Sequence, residues 1–139
     1  MKTTFKLVAF LLTMTLLSCN ANMNLHDGVD GSGNVITEKR TINENFDKIS
    51  ASTGVTVIVE QGSPTDVEVE TDDNLMQYVI TKVENGTLIV KIEGNINTMS
   101  SIDVRVRMSS IVGLESTSGS RITSKNTLKG STIAVKSSS

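Results

Sequence analysis

From Asn34 onward the chain alternates apolar and polar residues with a period of two. Val55, Val57 and Val59 alternate with Thr56, Ile58 and Glu60. Val67 and Val69 alternate with Asp66, Glu68 and Glu70. Leu88, Val90 and Ile92 alternate with Ile89, Lys91 and Glu93, and Val104, Val106 and Met108 with Asp103, Arg105 and Arg107. Successive side chains of a strand point to opposite faces, so each run predicts a short strand with one buried face. The β-branched content supports the same reading. Turn signals separate the runs. Gly62-Ser63-Pro64-Thr65 closes one, and Asn85-Gly86 between Val83 and Leu88 predicts a hairpin. One segment breaks the pattern. Leu75, Met76, Val79 and Ile80 fall at helical spacing, with Asp72 or Asp73 placed to cap, which predicts one short helix near residues 73–80.

After Ser109 the texture changes. Ile111, Leu114, Ile122, Leu128, Ile133 and Val135 recur through Ser, Thr, Gly and Lys. Ser116-Thr117-Ser118-Gly119-Ser120 and Lys129-Gly130-Ser131-Thr132 read as tight corners between very short strands. A few inward apolar residues per turn, with small polar residues at the bends, is the pattern of successive coils in a β-solenoid. The expected fold is therefore all-β: a single-domain, β-solenoid-like stack of short strands.

The beginning of the chain has a different character. Lys2 and Lys6 precede a largely apolar run, Leu7 to Leu17, broken by Thr13 and Thr15. About 11 apolar residues are too few for the roughly 20 of a bilayer span, and the order of polarity is that of a signal peptide. The run ends in Leu16-Leu17-Ser18-Cys19, the order of a bacterial lipobox. Residues 1–18 are the expected signal peptide, removed on export, and Cys19 the expected site of lipid attachment. Several acyl chains make such an anchor stable, since each buried CH₂ contributes about 0.8 kcal/mol. Residues 19–33 read as a lipidated flexible linker, rich in Asn, Gly and Asp, and residues 34–139 as the β domain. Oxygens of Asp27, Asp30, Ser32 and Asn34 invite a calcium reading, but their spacing departs from the alternating ligands and closing Glu of a calcium loop.

Without residues 1–18 the chain has 121 residues, enough for one domain with a core. It then carries 11 basic and 15 acidic side chains, net −4. That balance, with both signs interspersed along the sequence, argues against nucleic acid as partner. Aromatic content is 3%, with Tyr78 and Phe46 the only rings after the signal. Neutral sugars and bases are gripped by exposed rings, and few are on offer.

The residues for catalysis are also sparse. Asp47, Asp66, Glu68, Glu70, Asp72 and Asp73 supply carboxylates, yet Glu68 and Glu70 share the outward face of a strand whose other face carries Val67 and Val69. A solvated strand face accounts for them. His26 is the only histidine and sits in the linker, and Cys19 is the only cysteine. The numerous serines have no histidine partner downstream. No phosphate loop, nucleophile elbow or metal-ligand spacing is present, so no enzyme activity, metal or cofactor is expected.

A family resemblance rests on many small matches in order. Gly31-Ser32-Gly33-Asn34-Val35, Arg40, Asn45-Phe46-Asp47-Lys48-Ile49, Gly54-Val55-Thr56-Val57 and Glu60-Gln61-Gly62 come first. Asp73-Asn74-Leu75, Asn85-Gly86-Thr87-Leu88 and Gly113-Leu114-Glu115-Ser116-Thr117-Ser118-Gly119-Ser120 follow. Together they resemble the head GIN domain of envelope lipoproteins from Bacteroidetes-type bacteria, whose family label is an autotransporter adhesin. The resemblance implies a β-solenoid-like fold and no catalytic residues. It implies a binding or adhesion module with a protein or polysaccharide partner in the envelope, or alternatively a structural or stress-related envelope protein acting through protein contacts. Members continue through further coils, whereas this sequence stops at Ser137-Ser138-Ser139. A solenoid that ends without a cap leaves an open strand edge, and three outcomes are open: a truncated piece of a longer stack, self-association of the C-terminal edge with a second copy, or fraying of the last coil. Asn20 after the cysteine, with no acidic cluster up to Asn24, leads to an expected place at the outer membrane, facing the periplasm rather than the cell surface.

Overall fold

The computed structural model describes residues 28–139, which form a single all-β domain. The signal peptide, Cys19 and His26 lie outside the described residues. Twelve strands follow in chain order: β1 (Val29–Asp30), β2 (Val35–Lys39), β3 (Lys48–Ala51), β4 (Thr56–Gln61), β5 (Asp66–Asp72), β6 (Val79–Glu84), β7 (Thr87–Ile92), β8 (Ile96–Thr98), β9 (Ile102–Met108), β10 (Gly113–Ser116), β11 (Arg121–Ser124) and β12 (Ala134–Ser137). They make two separate five-stranded sheets, ordered β12-β10-β3-β7-β6 and β11-β4-β9-β5-β2, plus the small pair β1-β8.

The alternation in the sequence is the alternation of burial. Val55, Val57 and Val59, Val67 and Val69, Leu88 and Val90, and Val104 and Val106 are all shielded from solvent, and both sheets contribute to one core cluster. Their polar alternates face outward. Burying each such side chain contributes about 2 kcal/mol. The Asn85-Gly86 turn joins β6 to β7 as expected, with φ of 50° and 74°. Both residues occupy the left-handed region that a two-residue hairpin demands.

Two strand pairs repeat one another. β10 lies parallel on β3 with Leu114 opposite Ile49, and β11 lies parallel on β4 with Ile122 opposite Val57. The corners between them match as well. Thr53 and Gly54 have φ of 62° and 72°, and Ser118 and Gly119 have 51° and 74°. The Gly54 N–H donates to the Ser118 carbonyl at 3.0 Å, so one corner sits on the other. β12 then adds to β10 in parallel, with Val135 opposite Leu114. The Ser/Gly-bounded segments after Ser109 are thus ordered short strands.

Two expectations need correction. The helix is a six-residue 3-10 helix, Asp73–Tyr78, and Val79 and Ile80 belong to β6. Leu75 and Met76 are buried, but helical spacing over so few residues fits two turns of 3-10 helix that lead into an edge strand. Asp72 makes no capping bond from its side chain. The linker expected over 19–33 also ends too late. Val29 and Asp30 pair with β8, and the Gly31 N–H donates to the Thr98 carbonyl at 2.8 Å. Backbone pairing orders this stretch in spite of a composition that cannot bury apolar area.

Leu88 lies at the centre of the core with no exposed surface. Leu88→Ala is expected to cost about 3 kcal/mol of unfolding free energy in urea titration, whereas Val135→Ala should change it by less than about 0.5 kcal/mol. Val135 is 72% exposed.

Candidate functional site

Polar groups concentrate at two places, and the first secures the N-terminal segment. Asp72 ends β5 in full burial. Its carboxylate accepts from the Ser100 N–H at 2.8 Å, the Ser100 hydroxyl at 2.9 Å and the Gly33 N–H at 2.8 Å. The Ser100 N–H above all, and then the other two donors, hold its pKa below the ordinary carboxylate value. Gly31 lies against it, and a Cβ added there would sit 2.5 Å from Asp72 Oδ2. Asp73 beside it accepts from the Ser32 hydroxyl, from Asn34 Nδ2 at 2.9 Å and from the Asn74 N–H at 2.7 Å. Asn74 closes the cluster by donating to the Asp30 carbonyl at 2.8 Å. Behind it, Arg40 Nη2 donates to the Met76 carbonyl at 3.0 Å at the end of the 3-10 helix. Every carboxylate here is occupied by chain donors, so the cluster acts as a clamp on residues 30–34.

The second place is the outward face of the β11-β4-β9-β5-β2 sheet. Period two sends Glu60, Arg105, Arg107, Asp66, Glu68 and Glu70 to this face, and strand register sets them in rows. One row runs Glu60, Arg107, Asp66; the next runs Ile58, Arg105, Glu68, Lys39. Arg105 reaches diagonally to Glu70 and makes two bonds of 3.1 Å, which draw the Glu70 carboxyl below its usual range. Lys39 lies 3.3 Å from Asp66 and 3.6 Å from Glu68, and Asp66 chiefly raises its pKa. Glu60 faces both Arg107, at 3.5 Å, and Lys125, at 3.6 Å. A groove of about 350 Å³ lies among these side chains, with Ile58 and Lys125 also in its lining.

These positions decide what the face can do chemically. Glu68 and Glu70 project outward as their alternation implies; Glu68 stands opposite Arg105 and Lys39, and Glu70, opposite Asp103 and Thr37, is met diagonally by Arg105. Asp66 also projects outward, while Asp72 and Asp73 belong to the clamp and Asp47 lies in the turn before β3. Residues 28–139 contain neither histidine nor cysteine. Among the described residues no three His, Cys, Asp or Glu side chains gather to hold a metal. Among the described residues the face groups carboxylates with arginine and lysine side chains.

The family model described as "Putative auto-transporter adhesin, head GIN domain" matches residues 45–139. The chain belongs to the head GIN domain family. Three solved structures of similar fold come from related sources. A protein described as a putative adhesin from Parabacteroides merdae shares 24% identity at a TM-score of 0.71, over 80% of this chain and 47% of that one. A second, described as a putative lipid binding protein from Parabacteroides distasonis, shares 19% identity at a TM-score of 0.70, over 78% and 48%. A third, described as a putative adhesin from Bacteroides fragilis, shares 18% at 0.70, over 80% and 54%. The head GIN chain therefore spans about half the length of these structures. At such identity the likeness concerns the fold. Comparison with curated proteins returned no match.

Sequence reasoning missed the clamp. The sequence offers Asp72 or Asp73 as a helix cap, and nothing local marks Asp72 as buried. Its donors Gly33 and Ser100 lie 39 and 28 residues away.

Because the folded state holds Asp72 charged, its stabilising effect is complete above the unfolded carboxylate pKa of about 3.9 and fades as pH falls below that value. Asp72→Asn is expected to lower the thermal midpoint at pH 7 and to flatten its decline on the acid side, measured by circular dichroism. On the exposed face, a double-mutant cycle on Arg105 and Glu70 should give a coupling below about 1 kcal/mol, since solvent screens the pair.

Proposed function

We propose that this protein is a lipid-anchored binding module of the cell envelope, of the adhesin type and without catalytic activity. The extended outward face of the β11-β4-β9-β5-β2 sheet carries the reading. It presents rows of alternating charge over several strands, with no nucleophile beside a base among the described residues. Such a surface suits contact with a long partner, protein or polysaccharide, better than turnover of a small one.

The in-register stacking of β10 on β3 and β11 on β4 favours a β-solenoid-like description of the module, with each level repeating the last. Lipidation at Cys19 rests on the lipobox, and membership of the adhesin family is consistent with an envelope location. Among the described residues no helix is long and apolar enough to cross a membrane. The anchor would then be the acyl chains, holding the domain at the outer membrane and facing the periplasm.

Cys19→Ala is expected to shift the protein from the membrane pellet to the soluble fraction after cell fractionation. Protease added to intact cells should leave the wild-type domain uncut. Release of the domain without lysis would overturn the periplasmic orientation, and an unchanged membrane pellet for Cys19→Ala would overturn the lipid anchor.

A further inference from the structure

The last part of the chain differs in charge from the rest, and the fold gathers that difference at one end. Residues 28–110 carry 7 basic and 13 acidic side chains. Residues 111–139 carry Arg121, Lys125, Lys129 and Lys136 against the single carboxylate Glu115. β11 and β12 are the edge strands at the same end of their two sheets, so these cations gather at one end of the domain. All four are exposed. Arg121, Lys129 and Lys136 pair with no carboxylate among the described residues. Gln61 draws the segment after β11 back against the sheet. Its side chain accepts from the Lys129 N–H at 2.6 Å and donates to the Lys129 carbonyl at 2.8 Å, which keeps Lys129 in the same region as Lys125 and Arg107.

The acidic clamp lies at the other end. Asp72 belongs to β5, three strands from β11, or about 14 Å across the sheet. Residues 30–34, where the chain enters the domain, are fixed there. A domain tethered through its N-terminal segment thus has its acidic end at the tether and its cationic end away from it.

We infer that the cationic end, from Arg121 across Lys125 to Lys129, docks a carboxylate-bearing glycan; of these three only Lys125 has a carboxylate partner among the described residues, Glu60. The inference rests on the binding role proposed above and names the partner's chemistry. Without exposed aromatic rings the surface has no stacking platform for neutral sugars, so ionic contact must supply recognition. The same lack disfavours single-stranded nucleic acid, whose bases need such a platform. Distance from the tether disfavours the anchoring leaflet. For a domain that faces the periplasm, the carboxylate-bearing glycan within reach is the cell-wall polymer.

The test is co-sedimentation of the full lipidated protein, in neutral detergent, with purified peptidoglycan sacculi. Binding is expected at low salt, weakening as salt rises. It should be lost on sacculi whose carboxylates have been amidated. Arg121→Ser/Lys125→Ser/Lys129→Ser should bind about tenfold more weakly while keeping the wild-type thermal midpoint, and Lys82→Ser on the far edge should bind as wild type. Undiminished binding to amidated sacculi, or by the triple variant, would overturn the inference. So would tighter binding to poly-glutamate or to anionic vesicles than to sacculi. Failure on sacculi with recovery of an envelope protein from solubilised membranes would overturn the glycan and leave the binding role standing. Failure of both would remove the binding role too.

Discussion

The structure depends on one constraint: valines and leucines at every second position must meet across two sheets. Ile49, Val57, Leu88, Val90, Val104 and Val106 fill the space between the sheets and leave the intervening residues to solvent. A shift of one residue in any strand would turn its apolar set outward and its charges inward, so register is strongly specified. Parallel stacking adds a second requirement. Each inward residue lies beside its counterpart in the next strand, as Ile49 does beside Leu88 and Leu114. The outer face is then free to carry charge, because it plays no part in holding the sheets together.

This division of labour accounts for what could be read from the residues. The strands with four or more alternating positions, β4, β5, β7 and β9, were legible because burial imposes a period of two on them. So was the Asn85-Gly86 hairpin, whose backbone few other residue pairs accept. The short C-terminal strands were legible as spacing alone, and their parallel partners came from the fold. β2 was hidden because all five of its residues are exposed and leave no burial pattern. The helix was overextended because Val79 and Ile80 fall at helical spacing from Leu75 and Met76, while their place in β6 is set by pairing with β7.

The polar features were legible in a different measure. The outward position of Glu68 and Glu70 followed from their neighbours Val67 and Val69. Their cationic partners did not, since Arg105 and Lys39 come from strands 35 and 29 residues away in sequence. Asp72 broke the rule that a charged residue at a strand end faces water. Three donors from distant segments satisfy it, and no local signal announces them. A charge count over the whole chain hides the basic balance of residues 111–139, and only the fold shows that β11 and β12 carry it to one end.

The clamp around Asp72 has a mechanical consequence. A pulling force applied through the N-terminal segment meets residues 29–34 first. Resistance comes from the β1-β8 pairing and the bonds from Gly33, Ser32, Asn34 and Asn74, all gathered within a few residues. Behind them β2 is an edge strand, attached on one side only to β5. Under load the chain would therefore yield in stages, with the clamp opening before β2 peels and both before the packed sheets separate. Each stage would release chain while the two-sheet body stays folded, so load entering through the N-terminal segment is taken up by the clamp and β2 before it reaches the core.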